Sequence, residues 1–372
     1  MDKKETKTFE LSLTPVSPCN LACEFCYQGG AMHDVPVESE GLRRFLEEPN
    51  INYVAETVNK LSEGYDDVIW NIFGGELLMD GIPQRQLDLY VEIMKTLQSK
   101  INKPLRACFL SNGVFTKHER IKEMLEKTNG VIAFSYDPVG RYATPEQRKL
   151  FEATYEYFRK TGHLQQLSMT LSKPTMDSLV NGDAFFEKAI KDKTIIDCCY
   201  YCESPAKMAM KYQPMQEDLE RFVMWAIEKK YYFIDIIKNI LTSATPGYTH
   251  LTQKHCTCGE TADGVINMDG TVEFASCLEQ MGQGIDVAPY VKDYDRGQED
   301  IYSVDNAEAM NMEKFGCYYC EYGAVCPRTC SASMLNPKMS NKCFLKNVYK
   351  RITDEDRKSF IEWLEKDDAE NR

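Results

Sequence analysis

Apolar and polar residues alternate strictly in "TFELSLTP" (8–15), a period of two that predicts a strand. "DVIWNIF" (67–73) is a short apolar run that stops at Gly74-Gly75-Glu76. "PLRACFLSNG" (104–113), "GVIAFSYDP" (130–138), "LQQLSMTLS" (164–172) and "KTIIDCCYY" (193–201) have the same character. Between these runs the apolar period lengthens to that of a helix, as in "RQLDLYVEIMKTLQSK", "KHERIKEMLEKT" and "TPEQRKLFEATYEYFRKTG". Strands alternating with helices predict a parallel sheet, open or closed into a barrel. About six such units are visible, fewer than the eight of a full (β/α)₈ barrel.

In such folds the chemistry gathers at the carboxyl ends of the strands. Those positions here hold a cysteine loop after the first strand and Gly74-Gly75-Glu76 after the second. Ser111 and Asn112 follow the third strand, Ser135 and Asp137 end the fourth, and Cys198, Cys199 and Cys202 follow the sixth. Each of these has an ordinary structural reading, and their shared face is the stronger signal.

Composition narrows the field. The chain has 372 residues, enough for two domains, and 57 acidic against 44 basic residues give a net charge of −13. That balance disfavours nucleic acid and anionic membrane as partners. The charged N-terminus has no signal-peptide core, and no apolar stretch is long enough to cross a bilayer, so a cytoplasmic location is expected. In that reducing compartment the 15 cysteines read as metal ligands or reactive thiols rather than disulfides. They cluster, with three at 19–26, one at 108, three at 198–202 and eight between 256 and 343. Three thiols spaced as Cys19, Cys23 and Cys26 fall one short of a Cys₄ site. A fourth ligand elsewhere, or an open metal position, would complete it.

The Cys19-x₃-Cys23-x₂-Cys26 loop, with Phe25 before its last cysteine, resembles the signature of the radical S-adenosylmethionine (SAM) enzymes. Gly74-Gly75-Glu76 is similar to that family's second-strand motif, with Leu77 where a proline often follows. The resemblance implies an α/β fold, a partial (β/α)₆ barrel, whose three cysteines hold a [4Fe–4S] cluster with one iron left to bind SAM. It further implies that Gly74, Gly75 and Glu76 meet the methionine amino group and that Ser135 and Arg148 face the ribose and carboxylate. Phe25, Ser111 and Asn112 are the remaining candidates on the SAM side.

Cys317-x₂-Cys320-x₅-Cys326-x₃-Cys330, followed by Cys343, is similar to the SPASM extension of those enzymes, which carries up to two auxiliary [4Fe–4S] clusters. By resemblance Cys317, Cys320, Cys326 and Cys343 hold the outer cluster. Cys277 and Cys330 hold the inner one with Cys256, Cys258 or both. The upstream turn departs from the pattern, because Gly270 precedes Cys277 by more residues than usual. Zinc sites are the alternative use of so many thiols. The expected division is a barrel over 1–240, the extension over 241–347 and a C-terminal helix over 348–372. "DRKSFIEWLEK" (356–366) is amphipathic and is expected to cover the domain junction. Cys108 is expected in the core, and Cys198, Cys199 and Cys202 in core or supporting roles, with a substrate-facing thiol as the alternative.

The resemblance implies an oxidoreductase that abstracts hydrogen from a peptide or protein and oxidises or crosslinks it. Reductants of the flavodoxin or ferredoxin kind would serve it. The alternatives are a small-metabolite enzyme of the same chemistry, and a non-enzymatic zinc or electron-carrier protein. Sulfatase maturases carry an aspartate after the second cysteine of the extension; Leu278 stands there, followed by Glu279. Glu279 and, on the barrel side, Asp137 are therefore the candidate proton acceptors. Only about seven residues precede the first strand, which leaves no room there for a leader-binding domain.

Overall fold

A computed structural model describes residues 7–15, 17–26, 40–201, 209–249, 261–274, 312, 315–327 and 343–370. Cys202, Cys256, Cys258, Cys277, Glu279 and Cys330 lie outside the described residues.

All six expected strands are present: β1 (Thr8–Pro15), β2 (Asp67–Ile72), β3 (Leu105–Ser111), β4 (Val131–Ser135), β5 (Leu164–Leu171) and β6 (Ile195–Tyr200). Two more, β7 (Thr261–Ile266) and β8 (Val272–Phe274), give the order β6-β5-β4-β3-β2-β1-β7-β8. β1 to β4 pair in parallel, β7 joins the free side of β1 in parallel, and β8 folds back antiparallel on β7. β7 was not foreseen: TADGVI has neither an apolar run nor clean alternation, and pairing with β1 supplies what its own residues do not.

The chain forms two compact units. The first comprises residues 1–136, 140–166 and 258–280, and the second 137–139, 167–257 and 281–372. β5 runs through both.

In the first unit α1 (Glu40–Phe45) and α2 (Asn50–Leu61) follow β1, and α3 (Gln84–Lys100) and α4 (His118–Lys127) follow β2 and β3. Leu87, Tyr90, Val91, Met94 and Leu97 line one stripe of α3 and are buried. That three-and-four spacing makes it a sheet-covering helix. α5 (Pro145–Lys160) follows β4. It begins with Thr144 accepting from the Gln147 amide at 3.3 Å while the Gln147 side chain accepts from the Thr144 amide at 3.4 Å. This reciprocal cap satisfies amides the helix cannot pair internally, and Pro145 tolerates the first turn because its position needs no N–H. On the sheet, Cys108 packs with Ile69 and Ala133, the core role expected of it.

The second unit holds α6 (Lys173–Val180), α7 (Ala184–Lys191), β6, α8 (Gln216–Glu228), α9 (Asp235–Ala244), α10 (Phe344–Arg351) and α11 (Asp354–Glu370). The expected C-terminal helix lies within α11, where Phe360 and Trp363 pack against Tyr232. Among the described residues no helix is long and apolar enough to cross a membrane.

Removing the cap of α5 with Thr144→Ala leaves two amide donors without their partners. The expected loss is about 1 kcal/mol, read as a lower midpoint in urea unfolding, and an unchanged midpoint would show the box contributes nothing.

Candidate active site around the cysteine loop

Residues 17–26 leave β1 and are held by the loops that follow β2, β3 and β4. The first clamp is backbone. Glu76 N donates to Pro18 O at 2.7 Å. Gly75 lies so close that an added Cβ would meet Ser17 O at 2.1 Å and Pro18 O at 2.5 Å. Its φ of +47° also lies in the region that side chains disfavour, so two independent constraints require glycine there.

The second clamp is the Glu76 carboxylate, 1% exposed. Oε1 accepts from Ser111 Oγ at 2.8 Å and from Leu78 N at 3.0 Å, and Oε2 accepts from Asn112 N at 2.6 Å. Burial raises its pKa, while the donations from Asn112, Ser111 and Leu78 and the positive charge of Arg141 work against that rise. Ser111 Oγ in turn accepts from Gly113 N at 3.0 Å.

The third clamp is Asn112. Its Nδ2 donates to Asn20 Oδ1 at 2.8 Å and reaches Cys19 Sγ at 3.9 Å, while its Oδ1 accepts from Val114 N at 2.9 Å. Asn20 Nδ2 closes the ring on Val114 O at 2.8 Å. On the other side of the loop Glu24 N donates to Gly140 O at 3.0 Å, and Arg141 Nη1 reaches Cys23 Sγ at 3.9 Å. The Arg141 guanidinium lies 5.4 Å over the Phe25 ring, and Phe25 is buried. Asn20 is an unspecified residue of the Cys19-x₃-Cys23 spacing and Arg141 lies outside every motif, so local pattern points to neither.

The three thiols suit a cationic metal group. Burial, together with the charges of Glu76, Cys23 and Cys26, pushes the Cys19 thiol up to about 11, against a favourable bond from Leu21 N at 3.5 Å. Thiolates so crowded repel one another unless iron shares their charge. Among the described residues no three His, Cys, Asp or Glu side chains gather round one ion-sized point. A cube offers separate iron corners to separate thiolates, so convergence on a point is not its requirement.

The remaining candidates separate. Ser135 is half-buried at the end of β4. Arg148 is on α5, where Nη2 donates to the Tyr136 hydroxyl at 3.0 Å and Nε to Glu152 Oε1 at 3.1 Å. Asp137 belongs to the second unit, is buried, and accepts from Thr170 N at 2.9 Å.

In the second unit Cys317, Cys320, Cys326 and Cys343 line one cavity, with about 460 Å³ of empty space including open solvent. Cys343 immediately precedes α10, where the Leu345 and Lys346 amides lower a thiol pKa that burial raises. Tyr349 stacks on Tyr322 at 4.7 Å along the same cavity. Cys198 is buried as expected, but Cys199 is exposed, which corrects its expected core or supporting role. Successive strand side chains point to opposite faces, so two adjacent cysteines cannot share one environment.

A buried acid pair next to Cys198 was also missed. Asp197 accepts from Ser168 Oγ at 3.1 Å, and Asp235 accepts from Cys198 N at 2.9 Å. Burial first, and the Asp197 charge second, push Asp235 up from 3.8 to about 8.

The fold is shared with known structures. An anSMEcpe structure with bound AdoMet matches at TM-score 0.57 and 16% identity over 95% of this chain and 96% of that one. Another, with bound AdoMet and Kp18Cys peptide, matches at TM-score 0.57 and 16% identity over 96% of each chain. The shared fold is α/β, a parallel sheet with helices, and those neighbours are radical SAM barrel proteins with a C-terminal extension. These neighbours are structures of an anaerobic sulfatase-maturating enzyme of the radical SAM/SPASM kind. No protein-family model matches the chain, and no curated protein does.

Glu76→Gln should destabilise the first unit, because either setting of the amide turns an NH₂ toward a backbone N–H, that of Asn112 or that of Leu78. The expected loss is roughly 1–3 kcal/mol in denaturant unfolding, and equal stability would show the network carries no energy. A raised carboxyl pKa means that the native state keeps a proton the unfolded chain has released. Stability should therefore fall as pH rises from 3.8 through about 8. Asp235→Asn should flatten that part of the pH–stability curve, and a variant as steep as the parent would remove Asp235 as its source.

Proposed function

We propose that the protein is a radical SAM oxidoreductase that abstracts hydrogen from a side chain of a peptide or protein and oxidises or crosslinks it. The observation that carries this is the three-thiol loop, clamped by the ends of β2 and β3, in a chain whose fold overlaps structures bearing AdoMet and, in one case, a peptide. Cys19, Cys23 and Cys26 would hold a [4Fe–4S] cluster. When bound, that cluster supplies the electron that cleaves SAM and so the 5′-deoxyadenosyl radical that takes the hydrogen atom.

The chain's own residues do the rest. Gly75 and Glu76 fix the loop, and Asn112 orients Cys19. Glu76 has one acceptor position left on Oε2, because a carboxylate has about four and three are taken. That position suits the methionine ammonium of SAM, with the Gly74 and Gly75 backbone beside it. Ser135 and Arg148 would meet ribose and carboxylate, and Phe25, Ser111 and Asn112 complete the SAM side.

Cys317, Cys320, Cys326 and Cys343 would hold an outer auxiliary [4Fe–4S] cluster in the cavity they line. Cys277 and Cys330, with Cys256, Cys258 or both, would hold a second. Glu279 or Asp137 would accept the proton as the substrate electron leaves, and a flavodoxin or ferredoxin would reduce the protein in the cytoplasm. The division into a barrel over 1–240, a SPASM extension over 241–347 and a C-terminal helix over 348–372 belongs to this reading.

Replacing Cys19, Cys23 and Cys26 together by Ala should abolish release of 5′-deoxyadenosine from SAM under dithionite, while iron bound by the other cysteines remains. Undiminished release would overturn the assignment of this loop. For the substrate class, anaerobic turnover with cysteine- or serine-containing peptides should yield products altered by loss of hydrogen, read by mass spectrometry. Turnover confined to small metabolites would overturn the peptide reading and leave the SAM chemistry standing.

A further inference from the structure

Arg141 stands apart from every motif in the chain, yet it meets the cysteine loop in two ways. Its Nη1 reaches Cys23 Sγ at 3.9 Å, and its guanidinium carbon lies 5.4 Å over the Phe25 ring. Its positive charge also acts on the Glu76 carboxyl. Next to it in sequence, Gly140 O takes the Glu24 amide at 3.0 Å, so the loop is fastened by backbone and side chain at one place. Phe25 is buried, which fixes the ring as a platform for the guanidinium.

We propose that Arg141 is a positioning residue for the cluster. It fastens Cys23 and Phe25, and it holds the iron–sulfur group bound by Cys19, Cys23 and Cys26 at a higher reduction potential than the thiolates alone would set. This rests on the proposal that those cysteines hold a [4Fe–4S] cluster. Reduction adds an electron to a group already ringed by negative thiolates and flanked by Glu76. A cation and an N–H donor at one ligating sulfur stabilise the reduced state more than the oxidised one. Arginine suits this place better than lysine. Its planar fork lies flat on an aromatic face while an edge N–H points to sulfur, and an ammonium offers one point charge on a flexible stem. Asn112, the donor to Cys19 at 3.9 Å, is neutral and fixes geometry without contributing charge.

The test is a redox titration of the reconstituted holoenzyme under strict anaerobiosis. The signal followed is the reduced-cluster electron paramagnetic resonance that changes when SAM is added, which separates this cluster from the auxiliary ones. Arg141→Gln should hold its iron and titrate at a lower potential than the parent, with Arg141→Lys in between. Parent potential in both variants, or an equal drop in both, would overturn the proposal, since charge and fork would then have no separate effect. If Arg141→Gln fails to hold its iron, Arg141→Lys decides. Retained iron with a potential below that of the parent sustains the proposal, and parent potential or loss of iron there too overturns it. A parent protein with no SAM-responsive signal would instead overturn the reading of the loop itself, whatever Arg141 does.

Discussion

The buried Glu76 side chain and the Gly75 backbone beside it are the constraint on which the site depends. Three loops that leave three parallel strands must keep a fixed spacing, and nothing in the sheet's own hydrogen bonds extends that far. Gly75 brings the β2 loop against the Ser17–Pro18 backbone at a distance no side chain allows, and the Glu76 amide locks the contact on Pro18. The Glu76 carboxylate then gathers Ser111 and Asn112 from the loop after β3. Asn112 passes that order to Asn20 and Cys19. A buried carboxylate is costly unless its lone pairs are met, and meeting them is what makes the junction rigid.

The same physics explains why the thiol loop suits iron. Buried thiols resist ionisation, and neighbouring thiolates and Glu76 add to that resistance at Cys19. A multinuclear cation reverses the balance, because each thiolate then faces positive charge rather than another anion. The second unit repeats the arrangement with different supports. Burial and the neighbouring thiols Cys343 and Cys320 push Cys317 up to about 11, and Cys343 takes the first amides of α10. In both places burial and backbone amides act on the thiols, and at the first loop the charged Arg141 side chain is added at Cys23.

Much of the layout was legible in the chain. β1 to β6 announce themselves by alternation or by short apolar runs, and α3, α4 and α5 by their stripes, because each buries a face whose period is written locally. Cys19, Cys23, Cys26 and Gly74-Gly75-Glu76 are equally local, since the loop and the turn are each contiguous. β7 was not legible. Its residues have weak strand character, and it forms because β1 offers an unpaired edge. Cys199 was misjudged for a related reason: composition does not say which face of β6 a residue takes, and the strand's phase against its neighbours does.

What the sequence determined by itself is therefore the chemistry and its address: three thiols after one strand, a glycine pair and a carboxylate after the next, and a second cysteine field far downstream. Only the tertiary structure decided what orders them. Asn112 stands at a strand end that the chain announces, but Asn20 and Arg141 carry no signal, and nothing local links the three across long stretches of chain. Their roles exist because parallel strands deliver their loops to one end of the sheet. The pairing of Asp197 with Asp235 is likewise a product of packing, since β6 and α9 meet there and no local pattern links two aspartates 38 residues apart.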